Sequence, residues 1–206
     1  INISDTIPEY SFAYCENIKS TDITAKGIDQ YAIYNCSRLD SVSLNEGLLK
    51  IDNNAFEGCS KLKNISIPNS VKTLGEYSFS KCTSLKNINL GTGISVIHNY
   101  TLKNCTSLNS ITIPKSIMSI TDNVFVGCTL LSDVIFSDRN STLTLGSNGT
   151  NPLFSDCPLD SVYIGGDISY SISEEKGFSP FFNNSRLRVV IFSNNETTIS
   201  QKEFAG

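Results

Sequence analysis

The sequence predicts a solenoid of the α/β class, a single stack of about eight short coils that spans residues 1–206. Three observations predict it: cysteines recur at a nearly constant interval, apolar residues keep fixed places relative to each cysteine, and an alternating apolar pair follows each one. The cysteines are spaced by 21, 23, 23, 23, 23 and 29 residues, at Cys15, Cys36, Cys59, Cys82, Cys105, Cys128 and Cys157. A fixed period in this range is typical of repeat arrays.

A short strand is predicted after each cysteine. Apolar residues alternate there with period two, and many are β-branched, which predicts a strand with one buried face. The pairs are Val42 and Leu44, Ile65 and Ile67, Ile88 and Leu90, Ile111 and Ile113, Val134 and Phe136, Val162 and Ile164, and Val190 and Phe192. Pro68, Pro114 or Gly91 then ends the strand.

The far side of each coil is predicted to be a turn-like or helical crossing. Val71 and Leu74 are spaced by three residues, as are the equivalent residues of the next two units, and this spacing fits such a crossing. The chain then returns to the core at an apolar residue three places before the next cysteine. One such unit buries too little apolar surface to fold alone, so neighbouring units must cover its open faces.

The complete pattern Cys-x-x-Leu-x-x-Ile-x-Ile-Pro-x-x-Val-x-x-Leu-x-x-x-x-Phe-x-x-Cys runs from Cys59 to Cys82. It resembles the 23-residue leucine-rich repeat of BspA-like proteins, and the resemblance covers essentially the whole chain. The resemblance implies a right-handed, curved solenoid with a parallel sheet on the concave face and short helical or irregular crossings on the convex face. It also implies a secreted or cell-surface protein of bacteria or parasitic protists, since members are linked to adhesion and to host proteins such as fibronectin and fibrinogen.

Two segments, 137–152 and 165–180, are longer than the repeat allows. The interval from Phe125 to Phe154 is 29 residues and that from Phe154 to Phe181 is 27. Insertions in a solenoid lie at corners or on one face and often carry function; neutral drift in a surface loop is the alternative. Both ends of the sequence fall within a unit, so we expect the chain to be an excerpt of a longer array.

The cysteines have three possible uses. A metal site would need Cys or His at short spacings such as Cys-x-x-Cys, which the sequence lacks. Disulfides between adjacent coils are geometrically conceivable, but seven is an odd number and each cysteine has two equivalent neighbours. The interpretation we favour is a ladder of buried thiols, in which Asn184 takes the place of the next cysteine.

Composition and motifs argue against catalysis and against several partner classes. His98 is the single histidine, and its position varies freely between units, so it is not expected to act as a catalytic base. A pair of catalytic carboxylates would need to face each other, whereas Asp22 and Asp133 lie five coils apart. The net charge of −4 argues against nucleic acid, and no stretch has the ~20 apolar residues of a membrane span. We therefore predict no enzyme activity, metal or cofactor.

The concave face is the predicted binding surface. The residue between each buried pair must point outwards because strand side chains alternate. These residues are Asp22, Ser43, Ser66, Asn89, Thr112, Ile135, Tyr163 and Ile191. The first five are polar, whereas the last three are apolar or aromatic, and Val189 lies two places before Ile191 on the same face.

Ile135, Tyr163, Val189 and Ile191 therefore form a candidate contact surface, together with Tyr170 and Phe178 of the second insertion. The alternatives are that this insertion folds back and covers the apolar face, or that the cluster arises by chance. The function predicted is a non-catalytic, extracellular or cell-surface module for protein binding or adhesion, with a host or extracellular-matrix protein as its partner. The alternative function is a structural spacer within a larger surface protein.

Overall fold

The computed structural model describes residues 5–146, 153–170, 179–182 and 184–193. These residues form a parallel β-solenoid in which each coil contributes one strand to each of two sheets. The first sheet, here called the long-strand sheet, contains β2 (Ser20–Ile23), β4 (Ser41–Leu44), β6 (Asn64–Ser66), β8 (Asn87–Asn89), β10 (Ser110–Ile113), β12 (Asp133–Phe136), β14 (Ser161–Ile164) and β16 (Val189–Phe192). The solenoid that the sequence predicts is thereby confirmed.

The second sheet, here called the short-strand sheet, is built from strands of two or three residues. It contains β1 (Thr6–Ile7), β3 (Gly27–Ile28), β5 (Lys50–Ile51), β7 (Thr73–Leu74), β9 (Val96–Ile97), β11 (Ser119–Ile120), β13 (Leu143–Leu145) and β15 (Ile168–Ser169). The strand ladder of each sheet is interrupted once, between β8 and β10 and between β7 and β9, although these strands still lie side by side.

The predicted helical crossings are wrong, because no helix occurs in the described residues and the far side is the short-strand sheet. The spacing of three arises from a turn followed by a strand. The amide of Val71 donates to the carbonyl of Pro68 at 3.2 Å, which closes a turn, and Leu74 then lies buried in β7. A coil of about 23 residues leaves too few residues for a helix once the corner turn has been made. A two-residue strand fits in that length and can pair with both neighbouring coils.

Parallel pairing places equivalent residues of successive repeats side by side. In the long-strand sheet Val134 pairs with Val162, and Val162 pairs with Val190. Polar side chains follow the same register: Lys63 Nζ lies 2.9 Å from Asp40, 23 residues away. Each coil is therefore held mainly by its two neighbours, as expected of a quasi-one-dimensional fold.

The core contains a column of aromatic rings, interrupted by Leu102, at the position three residues before a cysteine or before its substitute Asn184. Phe56 stacks on Phe79 with ring centroids 5.3 Å apart, and Phe125 stacks on Phe154 at 5.1 Å. Phe154 also stacks on Phe181 at 5.5 Å. These rings are buried, and their parallel stacking follows from the parallel register of the coils.

Each corner after the short-strand sheet needs two residues in the left-handed conformation. The first position carries Tyr10, Tyr31, Asn54, Tyr77, Tyr100 and Asn123, with φ between 55° and 61°. The second carries Tyr14, Asn35, Gly58, Lys81, Asn104 and Gly127, all with positive φ. At Gly58 a Cβ would lie 2.7 Å from Oδ1 of Asn35 in the preceding coil, so glycine is required there for space as well as for conformation.

The two insertions extend the solenoid in part. Strand β13 lies within the first insertion and β15 within the second, and both continue the short-strand sheet. Arg139, also in the first insertion, is buried against the preceding coil. The described residues of the two insertions therefore include strands and a buried side chain.

Candidate binding surface

The apolar residues predicted to face outwards do so in register on three adjacent strands. Ile135 of β12 pairs with Tyr163 of β14, which pairs with Ile191 of β16. Ile135 is 43% exposed, Ile191 is 51% exposed and Val189 is 44% exposed. We call Ile135, Tyr163, Val189 and Ile191 the apolar patch.

Tyr163 is half-buried and links the apolar patch to the first insertion. Its hydroxyl donates a hydrogen bond to Oδ1 of Asp138 at 2.5 Å, and this bond raises the pKa of Tyr163 above its ordinary value. Because the hydroxyl is held by Asp138, the ring has fewer orientations available to it. The patch thus has a fixed aromatic residue at its centre.

Paired charges lie at the other end of the same strands. Arg188 donates from Nε to Oδ1 of Asp160 at 2.5 Å and from Nη2 to Oδ2 at 2.8 Å. This bidentate bond lowers the pKa of Asp160 and raises that of Arg188. Asp133 accepts hydrogen bonds from the hydroxyls of Ser132 and Ser161. An apolar centre beside a polar, hydrogen-bonded rim is the usual composition of a protein interface.

Of the two aromatic residues predicted from the second insertion, the structure describes only Tyr170. Tyr170 is half-buried and packs against the core. Phe178 lies outside the described residues.

The rest of the long-strand sheet presents polar side chains. From β2 to β10 the outward positions are exposed and carry Ser20, Asp22, Ser41, Ser43, Asn64, Ser66, Asn87, Asn89, Ser110 and Thr112. Nδ2 of Asn87 donates to Oδ1 of Asn64 at 2.7 Å, so part of this row is already paired within the protein. The apolar patch is therefore confined to the last three strands of the sheet.

The thiols occupy equivalent places inside the solenoid. All seven are free, and all except the half-buried Cys15 are buried. Sγ of Cys82 donates to the carbonyl of Phe56 in the preceding coil at 3.3 Å, and Cys59 and Cys105 make the equivalent bonds. Asn184 donates from Nδ2 to the carbonyl of Phe154 at 3.5 Å, the bond that a thiol would make there. Their structural role remains a prediction.

We expect alkylation of the native protein at pH 8 to modify Cys15 well before the other six cysteines. The thiolate is the reactive form, and burial raises the pKa of Cys128 to about 12. At pH 8 such a thiol is ionised in about one molecule in ten thousand. Mass spectrometry of the alkylated peptides over time measures the order. Equal rates at all seven sites would contradict a buried ladder, and alkylation in urea is the control for complete reactivity.

Two features were missed by the sequence reasoning. Arg139 is 6% exposed and donates from Nη1 to the carbonyl of Ile117 at 2.7 Å; a single arginine in an irregular segment gives no signal of burial. The second feature is the row of tyrosines at the left-handed corner. This row does have a sequence signal, because Tyr10, Tyr31, Tyr77 and Tyr100 each stand two residues before the repeating apolar position.

Metal-binding clusters and membrane-spanning helices are both absent from the described ranges. No group of three or more His, Cys, Asp or Glu side chains there could hold a metal ion. In the same ranges no helix is long and apolar enough to cross a membrane.

Comparison with solved structures finds leucine-rich repeat proteins. A crystal structure of a leucine-rich repeat protein from Bacteroides ovatus ATCC 8483 has 22% identity and a TM-score of 0.60, covering 91% of this chain and 64% of that one. The T. pallidum leucine-rich repeat protein has 21% identity and a TM-score of 0.53, covering 84% of this chain and 69% of that one. At these identities the likeness concerns the fold alone, and this chain spans less than two thirds of the Bacteroides structure. No curated protein matches the chain.

The family itself is identified by the repeats. The family model for the BspA type leucine rich repeat region matches residues 5–132 in six copies, which is more than half of the chain. The resemblance drawn from the Cys59–Cys82 pattern is confirmed, and the chain belongs to the BspA-type leucine-rich repeat family.

Proposed function

We propose that this chain is a non-catalytic protein-binding module whose partner contacts the apolar patch. The observation that carries the proposal is the in-register exposure of Ile135, Tyr163 and Ile191 on neighbouring strands. Neighbouring coils elsewhere in the sheet place Ser, Asn, Thr or Asp at the same positions. A cluster of exposed apolar side chains on an otherwise polar sheet favours contact with another macromolecule.

The rim supports a protein partner in particular. Tyr163 is the kind of residue that dominates binding energy at interface centres, because it offers a large apolar ring and a polar hydroxyl. The Asp160–Arg188 pair lies at the edge, where charges contribute to orientation more than to affinity. The partner we propose is an extracellular or host protein, with the chain displayed at a cell surface or secreted, as membership of the BspA-type family suggests.

A structural spacer is the second candidate. The ten exposed polar positions from β2 to β10 favour it, because small and partly self-paired side chains give a partner few anchors. In that case the module would hold other parts of a larger protein at a fixed distance.

We expect the double variant Ile135→Ser, Ile191→Ser to reduce partner binding at least tenfold with little change in melting temperature. Both side chains are exposed, and serine already occupies the equivalent positions at Ser43 and Ser66. A panel of purified extracellular-matrix and serum proteins, tested by surface plasmon resonance against the wild-type chain, supplies the partner.

The matched control is Ser43→Ala, Ser66→Ala, which changes the same strand positions outside the patch and should leave binding intact. Unchanged binding by the isoleucine double variant, with a lower melting temperature, would contradict the proposal and show that the patch is covered core. Absence of binding to every protein of the panel would favour the spacer.

A further inference from the structure

The left-handed corner carries tyrosine where the conformation disfavours it. Of the six residues at its first position, four are Tyr10, Tyr31, Tyr77 and Tyr100, with φ between 55° and 61°. A bulky side chain with positive φ is an outlier, whereas Asn and Gly adopt it readily. Strained positions of this kind are candidates for function. Asn54 lies between the two tyrosine pairs and interrupts this row of aromatic side chains.

The tyrosines form two stacked pairs that face each other across Asn54. Tyr10 and Tyr31 stack with centroids 4.8 Å apart and planes 8° apart, and Tyr77 and Tyr100 stack at 4.6 Å and 20°. Tyr31 and Tyr77 are the two rings nearest to Asn54. Each of them has one face covered by the other tyrosine of its own stacked pair. Its other face is turned toward the coil of Asn54. Because successive coils are about 4.8 Å apart, the planes of these two rings are about 10 Å apart.

The floor of this slot is polar and carries no net charge. Glu57 is buried, and its Oε1 lies 2.9 Å from Nζ of Lys81. Its Oε2 accepts a hydrogen bond from Nδ2 of Asn54 at 2.5 Å. Since Lys81 pairs with the carboxylate, the floor itself favours neither a cation nor an anion. It offers the amide of Asn54 and the exposed ammonium group of Lys81 to a neutral ligand.

Tyr34 packs against Tyr31, one wall of the slot. Its ring lies perpendicular to that of Tyr31, with centroids 5.4 Å apart and an interplanar angle of 82°. The slot therefore has two aromatic walls and a polar floor. Aromatic walls with a few placed polar groups are typical of small-ligand sites.

We propose that the slot between Tyr31 and Tyr77 binds a neutral pyranose sugar. A six-membered ring midway between the walls would have its centre about 5 Å from each tyrosine, within the range at which rings pack. The C–H bonds on both faces of the sugar would contact the aromatic rings. Its hydroxyls would exchange hydrogen bonds with Asn54 and Lys81. A proline ring would fit between the walls but would leave this polar floor unused.

The slot lies on a different corner from the apolar patch and does not depend on the proposed protein-binding function. Four probes test it with the 206-residue chain: methyl glucoside, methyl galactoside, methyl mannoside and N-acetylglucosamine. We expect saturation-transfer NMR to show contact with at least one of them, through the ring protons of the sugar. Lack of transfer to all four would overturn the proposal.

Asn54→Tyr is the decisive variant, because it completes the tyrosine row and fills the slot without removing either wall. We expect at least a tenfold loss of sugar affinity with the melting temperature retained. Asn123→Tyr is the matched control, since it adds a tyrosine at the same corner position beyond the second pair and leaves the slot open. It should bind sugar like the wild type.

Tyr77→Asn is a second variant, which tests the slot by removing one wall instead of filling the space between the walls. Asparagine already occupies this corner position at Asn54 and Asn123, so the coil should accept it. Loss of one wall should also lower affinity at least tenfold. Unchanged sugar binding in Asn54→Tyr and Tyr77→Asn, or binding of a proline-rich peptide at the slot in place of every sugar, would overturn the proposal.

Discussion

Arg139→Ala is expected to lower the free energy of unfolding by about 3–5 kcal/mol. The guanidinium is almost fully buried and is held by main-chain oxygens. It donates to the carbonyls of Ile117 at 2.7 Å, Ser137 at 3.2 Å, Ile113 at 3.3 Å and Pro114 at 3.4 Å. Alanine would remove the bonds to the carbonyls of Ile117 and Ser137 and would open a space between the first insertion and the preceding coil. The carbonyls of Ile113 and Pro114 would keep their main-chain bonds from the amides of Ser137 and Ile117. Burial lowers the pKa of Arg139, as expected for a cation in these surroundings.

Urea denaturation followed by circular dichroism measures this loss. Arg38→Ala is the matched control, because Arg38 is exposed in a regular coil and its removal should change stability by about 0.5 kcal/mol or less. A loss below about 1 kcal/mol in Arg139→Ala would show that water satisfies the carbonyls of Ile117 and Ser137. In that case Arg139 would not be what fixes the first insertion on the solenoid.

Phe154→Ala is expected to cost about 3–5 kcal/mol, because it removes a fully buried ring from the middle of the aromatic column. The ring stacks on Phe125 at 5.1 Å and on Phe181 at 5.5 Å, so two neighbours lose contacts at once. In a fold whose coils contact mainly their neighbours, the damage should be local. We expect the C-terminal coils to unfold at lower urea than the rest of the chain.

Hydrogen exchange resolved by mass spectrometry can locate that early unfolding. Phe12→Ala is the control, since Phe12 has the same place in the repeat but is 44% exposed. It should cost about 1.5 kcal/mol or less. A single cooperative transition in Phe154→Ala, with uniform exchange along the chain, would contradict the nearest-neighbour description of this solenoid.

The sequence predicts the long-strand sheet well because each strand carries a period-two signal that repeats at a fixed interval. Val134 and Phe136 are buried while Ile135 points outwards, as alternation requires. The short-strand sheet was not predicted as strands. Strands of two residues, such as β7, are too short to show a period, and their apolar residues instead combine with those of the preceding turn to imitate a helical spacing.

The candidate site could be predicted in part. Alternation identifies Tyr163 as outward-facing, but its hydrogen bond to Asp138 joins residues 25 apart across an irregular segment, where the 23-residue register fails. For the slot around Asn54, by contrast, the repeat register holds. The aromatic row that flanks it lies in the regular register, so its members can be aligned from the sequence, but the stacking of their rings and the pairing of Glu57 with Lys81 required the structure.

The recurrence of contacts at a separation of 23 residues makes the length of this protein adjustable. Removal of residues 60–82 would bring Lys86 opposite Asp40, where Lys63 now stands, and Asn87 opposite Ser41, where Asn64 now stands. Each ladder would close on an equivalent partner, because neighbouring units present the same kinds of side chain. Unequal crossing-over between the repeats of such a gene can therefore lengthen or shorten the rod by one coil, about 4.8 Å, while keeping its architecture.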